Sequence, residues 1–313
     1  MSQTVSPPFL WTPGQGSDSA ALGRMARAFR KPARQMGEAW FMSPERKMYP
    51  RLSADLNTLP DDEIEDAIEQ IATGSSTFGP FEEWTEWYHY LLPRLIDRHW
   101  NRSFYDRVEL LMTAFVTQHP ASDGNLPYRA FRTDALDTLG RYLMSSRFWP
   151  DTERDPVQFP STWDSGLLSA SLFFCLRYLT QPDVERWFRS VIAIPSGHWR
   201  MQIVVWLVGA HPILSGAIGQ PSEFPERAYP DIGWSWSHVL DGNYSGYDQP
   251  PPERIPFLPA ENRRTIFQIA CGKEVERIFE DILTDPRMEA VVAETADVPE
   301  RFLQFYRPGS IAN

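Results

Sequence analysis

Cysteine is almost missing from this chain: Cys175 and Cys271 are the only two in 313 residues. Two distant thiols exclude a disulfide framework and offer no zinc-ligand spacing. Both sit in apolar helical contexts, so they read as buried thiols of a reducing compartment. Lysine is nearly as scarce, with Lys31, Lys47 and Lys273 standing against 27 arginines. That bias, with 28 prolines, is what GC-rich coding gives, and it points to a bacterial protein. Long apolar runs are missing too. The strongest, Ile203 to Ala210, is interrupted by His211 and Pro212 and is too short to span a bilayer, so it reads as a buried core helix. The first residues hold no run of the secretory kind, which makes a cytoplasmic location the expectation and the sequons at Asn101 and Asn243 chance matches.

Chemical signatures are equally thin. Gly14-Gln-Gly16 lacks the third glycine and the preceding strand of a dinucleotide fingerprint, and Gly272-Lys273 lacks the rest of a phosphate loop. No serine or cysteine stands in a nucleophile elbow. The histidines at 89, 99, 119, 198, 211 and 238 show no metal-ligand spacing, so each reads as a packed or solvated side chain. No catalytic residue, metal site or cofactor is assigned on these grounds.

What the chain does have is aromatic mass and a segregated charge. Twelve Trp, 11 Tyr and 19 Phe supply large buried areas or, where exposed, binding anchors. The net charge is −11. Residues 1–50 carry seven basic and three acidic side chains, whereas residues 51–100 carry three and eleven. So acidic a chain is a poor nucleic-acid binder, because neutralising phosphates needs a basic field. It suits a basic protein partner instead, whose approach it would accelerate.

Residues 1–17 are rich in Ser, Pro and Gly and are expected to be mobile, with 18–313 forming a single helical domain. A short basic helix follows, with Leu22, Met25 and Phe29 on one face and Arg24, Arg27, Arg30 and Lys31 around it. It reads as a docking helix; a membrane-surface helix or an organellar presequence is the alternative. From residue 58 helical signals become regular. Thr58 is expected to cap a helix with Pro60 in its first turn, Ile64, Ile68 and Ile71 inward, and Gly74 as its stop. A second opens near Gly79–Pro80 with Phe81, Trp84, Tyr88, Leu91 and Leu95 on one face and a kink at Pro93. A third begins at Ser103, with Phe104, Val108, Leu111 and Phe115 inward. Further helices are expected at 127–146, 165–180, 183–193, 198–216, 262–284 and 299–306. No alternating β-branched segment competes, so the class is all-α.

The helices come in consecutive pairs, and those at 61–98 and 183–216 resemble HEAT-type repeats in layout, which implies an α-solenoid with a concave binding face. No exact sequence period accompanies the resemblance, so a compact helical domain stays open beside it. Residues 219–260 break the pattern: prolines at 221, 225, 230, 250, 251, 252, 256 and 259 exclude a long helix. Within that stretch lie Trp234, Trp236, His238, Tyr244 and Tyr247, a first candidate partner-binding set. The second is acidic: Asp61, Asp62, Glu65 and Asp66, with Glu82, Glu83 and Glu86. Asp61-Asp62-Glu63-Ile64-Glu65 is also similar to the aspartate-rich motif of class I terpene synthases. That resemblance implies an all-α lyase holding magnesium and a diphosphate. The second metal motif of that family is missing here, and acids in a helix's first turn are explained by its dipole. The expectation is therefore an intracellular protein-binding protein of the immunity or inhibitor type, facing a basic toxin or enzyme. The alternatives are the metal-dependent lyase and a structural subunit of a homo-oligomer.

Overall fold

The computed structural model describes residues 8–38, 48–78, 81–98, 105–120, 126–149, 166–224, 230, 232, 234, 236–241, 256–286, 289–295 and 297–307. Within them every regular element is a helix, and the one β-type contact is an isolated bridge between Gly14 and Ser145. The all-α class follows. The helices are α1 (Ser19–Ala28), α2 (Asp61–Phe78), α3 (Glu82–Leu95), α4 (Tyr105–Gln118), α5 (Phe131–Thr138), α6 (Gly166–Tyr178), α7 (Gln181–Ile192), α8 (Gly197–Ser215), α9 (Ala260–Ala270), α10 (Lys273–Thr284), α11 (Glu289–Glu294) and α12 (Val298–Phe305).

Helix α1 is the docking helix its pattern predicts. Asp18 caps it by accepting from the Ala21 N–H at 2.6 Å, and Ala21, Leu22 and Met25 are buried. It packs on α3 and α5. Behind it stands a row in which α4 lies between α2 and α6. Helix α6 is apolar on nearly every side and is buried along most of its length, which makes it the centre of the molecule. In the C-terminal half, α8 is the hub for α9, α10 and α12. Asn262 ties α9 to the end of α6 by donating to the Leu176 and Leu179 carbonyls at 2.7 and 2.9 Å.

Several local expectations change. Thr58 does not cap α2; it lies in a 3-10 turn, Leu56–Thr58, and its hydroxyl donates to the Asp55 carbonyl at 2.8 Å. Gly74 does not stop α2, which runs on to Phe78. A β-carbon there would sit 2.7 Å from the Trp84 indole, so the glycine is needed for helix contact. The expected helix at 127–146 is α5 followed by a 3-10 segment, Leu139–Met144. The one at 262–284 is split in two at Gly272, which lacks a side chain to pack and caps α10. Helix α7 lies against α9 and not along α8, so the expected pair at 183–216 is not a side-by-side hairpin. The apolar stretch within α8 is core, and no described helix is long and apolar enough to cross a membrane.

The described part of residues 1–17 lies against this core. Phe9 and Trp11 are buried. Trp11 donates from its indole to the Gly140 carbonyl at 2.8 Å and from its backbone to Ser190 Oγ at 3.0 Å. Its ring meets Trp187 edge-on, with centroids 5.4 Å apart. Cys175 lies beneath, its thiol pushed up by burial, whereas Cys271 is half-buried at the end of α9 and not a core thiol.

Candidate partner-binding surface

The acidic residues of α2 begin on its first turn, where they favour the positive end of the helix dipole. Arginines from elsewhere in the chain pair with three of them. Asp61 meets Arg98 at 3.1 Å with both side chains under a tenth exposed, and Arg98 also donates to the Leu56 and Leu59 carbonyls. Glu65 meets the buried Arg107 at 2.9 Å, and Glu63 meets Arg51 at 2.8 Å. Asp66 accepts from the Tyr49 hydroxyl at 2.8 Å; burial, then that bond, pushes the Tyr49 phenol up. Glu83 is buried on α3 and accepts from the Gly37 N–H at 2.8 Å. Asp61 and Glu83 are therefore inside the molecule, not on a docking face. The exposed carboxylates of the two helices are Asp62, Glu69, Glu82 and Glu86. Among the described residues, no three His, Cys, Asp or Glu side chains gather to hold a metal ion.

The aromatic segment is drawn inward by packing. Trp234 is 6% exposed, stacks on Phe173 with centroids 6.1 Å apart, and donates to Thr113 Oγ1 at 3.0 Å. It is a core side chain, which corrects its reading as an exposed anchor. Ile232 fits over Gly209 of α8, where a β-carbon would come within 2.1 Å of Ile232 Cγ2, and Ser169 of α6 donates to the Ile232 carbonyl. Trp236 is half-buried, and its backbone N–H donates to Glu109 Oε1 at 3.1 Å. His238 is exposed and lies over the Trp236 ring at 5.9 Å. Tyr244 and Tyr247 lie outside the described residues. The described part of the segment thus straps α4, α6 and α8 together, with Trp236 and His238 toward solvent.

No protein-family model, curated protein or solved structure matches the chain. The residues themselves must carry the reading.

Two features escape sequence reasoning. Phe81, expected inward with Trp84, is 50% exposed at the N-cap of α3 and stands edge-on to Trp84 at 5.0 Å. Its helical spacing is right, but a capping residue has extended backbone and points its side chain away from the helix face. Exposed Glu82 follows it, with Glu86 one turn further on. His89 and His119, 30 residues apart, face each other with Nε2 atoms 3.0 Å apart inside a box of Phe29, Phe115 and Phe131. Burial, then repulsion from His119, pulls His89 down to about 3, and burial pulls His119 down to about 4. Both are neutral at pH 7, one donating to the other. Nothing in the local sequence signals this pair, because it depends on how α3 and the end of α4 meet.

A surface groove of about 330 Å³ runs between α7 and α9, lined by Gln181, Glu185, Arg189, Thr265 and Lys273 among others. Arg189 is already paired there with Glu185 and Glu274. With Arg189 held by these two carboxylates, the groove does not present a convergent set for a small charged ligand.

Proposed function

We propose that the chain is a protein-binding protein: a helical scaffold of HEAT-like layout that docks a basic partner on the outer faces of α2 and α3. The observation that carries this is Phe81, a half-exposed aromatic held edge-on by Trp84 and followed by Glu82 and Glu86. An aromatic anchor ringed by carboxylates is how a surface combines a slow dissociation rate with fast, charge-steered encounter. Asp62 and Glu69 are the exposed acids of α2. An inhibitor or immunity-type role, in which this surface covers a basic enzyme or toxin, is the specific form of the proposal. The lyase reading has less support, since Asp61 and Glu65 are each joined to an arginine.

The test is a native pull-down at low and moderate salt, run in parallel with wild type, Phe81→Ala and Glu82→Lys/Glu86→Lys. A stoichiometric basic protein retained by wild type and lost by both variants supports the proposal, with Phe81→Ala expected to weaken binding by about 2 kcal/mol or more. Equal retention by all three proteins, or retention by none, sinks it.

A further inference from the structure

Buried ionisable side chains gather under one short stretch of the chain. After α1 the backbone turns and runs along α3 in the opposite sense. Phe29 lies on His89 with ring centroids 4.4 Å apart, and Trp87 Nε1 donates to the Arg34 carbonyl at 3.1 Å. On α1 itself Arg24 meets Asp134 at 2.6 Å, and Tyr128 donates to the same carboxylate at 2.7 Å. Residues 19–35 therefore cover His89, Asp134 and Trp87, all buried, with buried His119 behind His89. The stretch is tethered on both sides. Before it, Trp11 is seated and the Asp18 N–H donates to the Asp137 carbonyl at 2.8 Å. After it, the Met36 carbonyl accepts from the Tyr49 N–H at 3.1 Å, and Glu83 holds the Gly37 N–H at 2.8 Å. Its own buried apolar side chains are only Ala21, Leu22, Met25 and Phe29.

The histidine pair makes this stretch sensitive to acid. The two ring planes are within 13° of parallel, with centroids 5.2 Å and Nε2 atoms 3.0 Å apart. That sets the rings end to end, with one proton on the line between them. A further proton there would press two N–H groups together inside an aromatic box. Among the described residues no carboxylate or guanidinium faces the pair to offset its charge. The covering stretch presents Phe29, α3 Tyr88, α4 Phe115 and α5 Phe131, while Tyr178 of α6 donates to the His119 carbonyl at 2.7 Å. Tyr128 turns its hydroxyl to Asp134, whose charge Arg24 balances, and Glu86 on α3 is exposed. Burial, and for His89 also repulsion from His119, holds both rings well below the ordinary histidine range. Contact with water would let them take up the protons that the closed form refuses.

We propose that residues 19–35 form an acid-opened cover: protonation of the histidine pair releases Phe29 and the stretch around it from α3 and α5, between the two tethers, while the rest of the helical body stays folded. Opening bares Trp87, His89 and Asp134, a face that the closed protein hides. Phe81, Glu82 and Glu86 lie outside the cover, so it stands or falls apart from the partner reading above. With both rings at the usual value of about 6.5 once open, opening should become about fiftyfold more frequent between pH 6 and pH 5.

Hydrogen exchange of the full chain, read by mass spectrometry and corrected for the intrinsic effect of pH, gives the readout, with α8 as the reference for global unfolding. At pH 5, α1 and residues 29–35 should be at least about tenfold less protected than α8. Their protection should fall about fiftyfold from pH 6 to pH 5, and by under about twofold in His89→Gln/His119→Gln. His89→Gln alone keeps a donor toward His119 and one titrating ring, so the fall there should be about eightfold; this variant decides the point if the double one does not fold. Exchange of the stretch in step with α8, protection that is the same at both pH values, or a fall in His89→Gln as steep as in wild type overturns the proposal.

Discussion

The acidic run of α2 and the aromatic segment around Trp234 stand out equally in the sequence, and the protein disposes of them in different ways. The acids are neutralised one by one: Asp61, Glu63 and Glu65 find Arg98, Arg51 and Arg107, and Asp66 finds Tyr49. The aromatics are absorbed together by packing, with Trp234 laid on Phe173 and Ile232 seated over Gly209. A charge can be satisfied at the rim of a fold, so some of its neighbours stay exposed. A tryptophan is satisfied only by filling volume, and it takes its segment inward with it. Unusual composition therefore marks the places where the chain must find partners, whether those partners lie inside the molecule or outside it.

Five sets of variants would break or sharpen that contrast. The largest effect is expected from Trp234→Ala, which removes a nearly buried indole and its bond to Thr113; unfolding by urea should show a loss of about 3–5 kcal/mol. A loss under about 1 kcal/mol would mean that the strap is not part of the core. Next is Arg98→Ala, which removes the ion pair to the nearly buried Asp61 side chain and the donors to two turn carbonyls, and should cost about 3 kcal/mol. Arg51→Ala, at a more exposed pair, should cost under about 1 kcal/mol in the same assay. If the two arginines cost the same, burial does not set the worth of the α2 pairs.

The His89–His119 pair combines both modes, a polar contact inside aromatic packing. Its ring nitrogens titrate at about 3 and about 4 in the folded protein, below the usual histidine value of about 6.5. Below pH 6.5 the unfolded chain takes up protons that the folded chain refuses. Stability is therefore complete above about pH 6.5 and is lost as pH falls toward the folded values. Between pH 7 and 4.5 the loss attributable to the pair should be on the order of 5 kcal/mol. Denaturation midpoints of His89→Gln/His119→Gln should fall less steeply over that window; an unchanged slope would assign the acid limit to other groups. The smallest effects belong to Asp62→Ala and Glu69→Ala, whose side chains are exposed. Each should stay within about 0.5 kcal/mol of wild type, and a larger change would show that these acids are structural like their neighbours.

The class and most helices were legible because periodicity reports burial directly. Ile64, Ile68 and Ile71, and Val108, Leu111 and Phe115, are all inward as their spacing predicts. What was not legible depends on long-range meetings. Gly74 looks like a helix stop until Trp84 is placed against it, and Phe81 looks like a core residue until α3 is seen to begin after it. The acidic cluster looks like a free surface because its arginines lie well outside the run, at 51, 98 and 107. The course of residues 29–37 along α3 is invisible for the same reason, since it exists only in three dimensions.

The seat of Trp11 has a consequence for how the chain is made. Its backbone partner, Ser190, lies 179 residues further on, and its indole partner, Gly140, lies 129 further on. At a synthesis rate of about 5–20 residues per second, the ribosome needs roughly 10 to 35 s after Trp11 to deliver Ser190. Trp11 thus waits for partners that are made long after it. For those seconds an unpartnered tryptophan near the amino terminus is open to a chaperone, and its docking closes the fold only once α7 has formed.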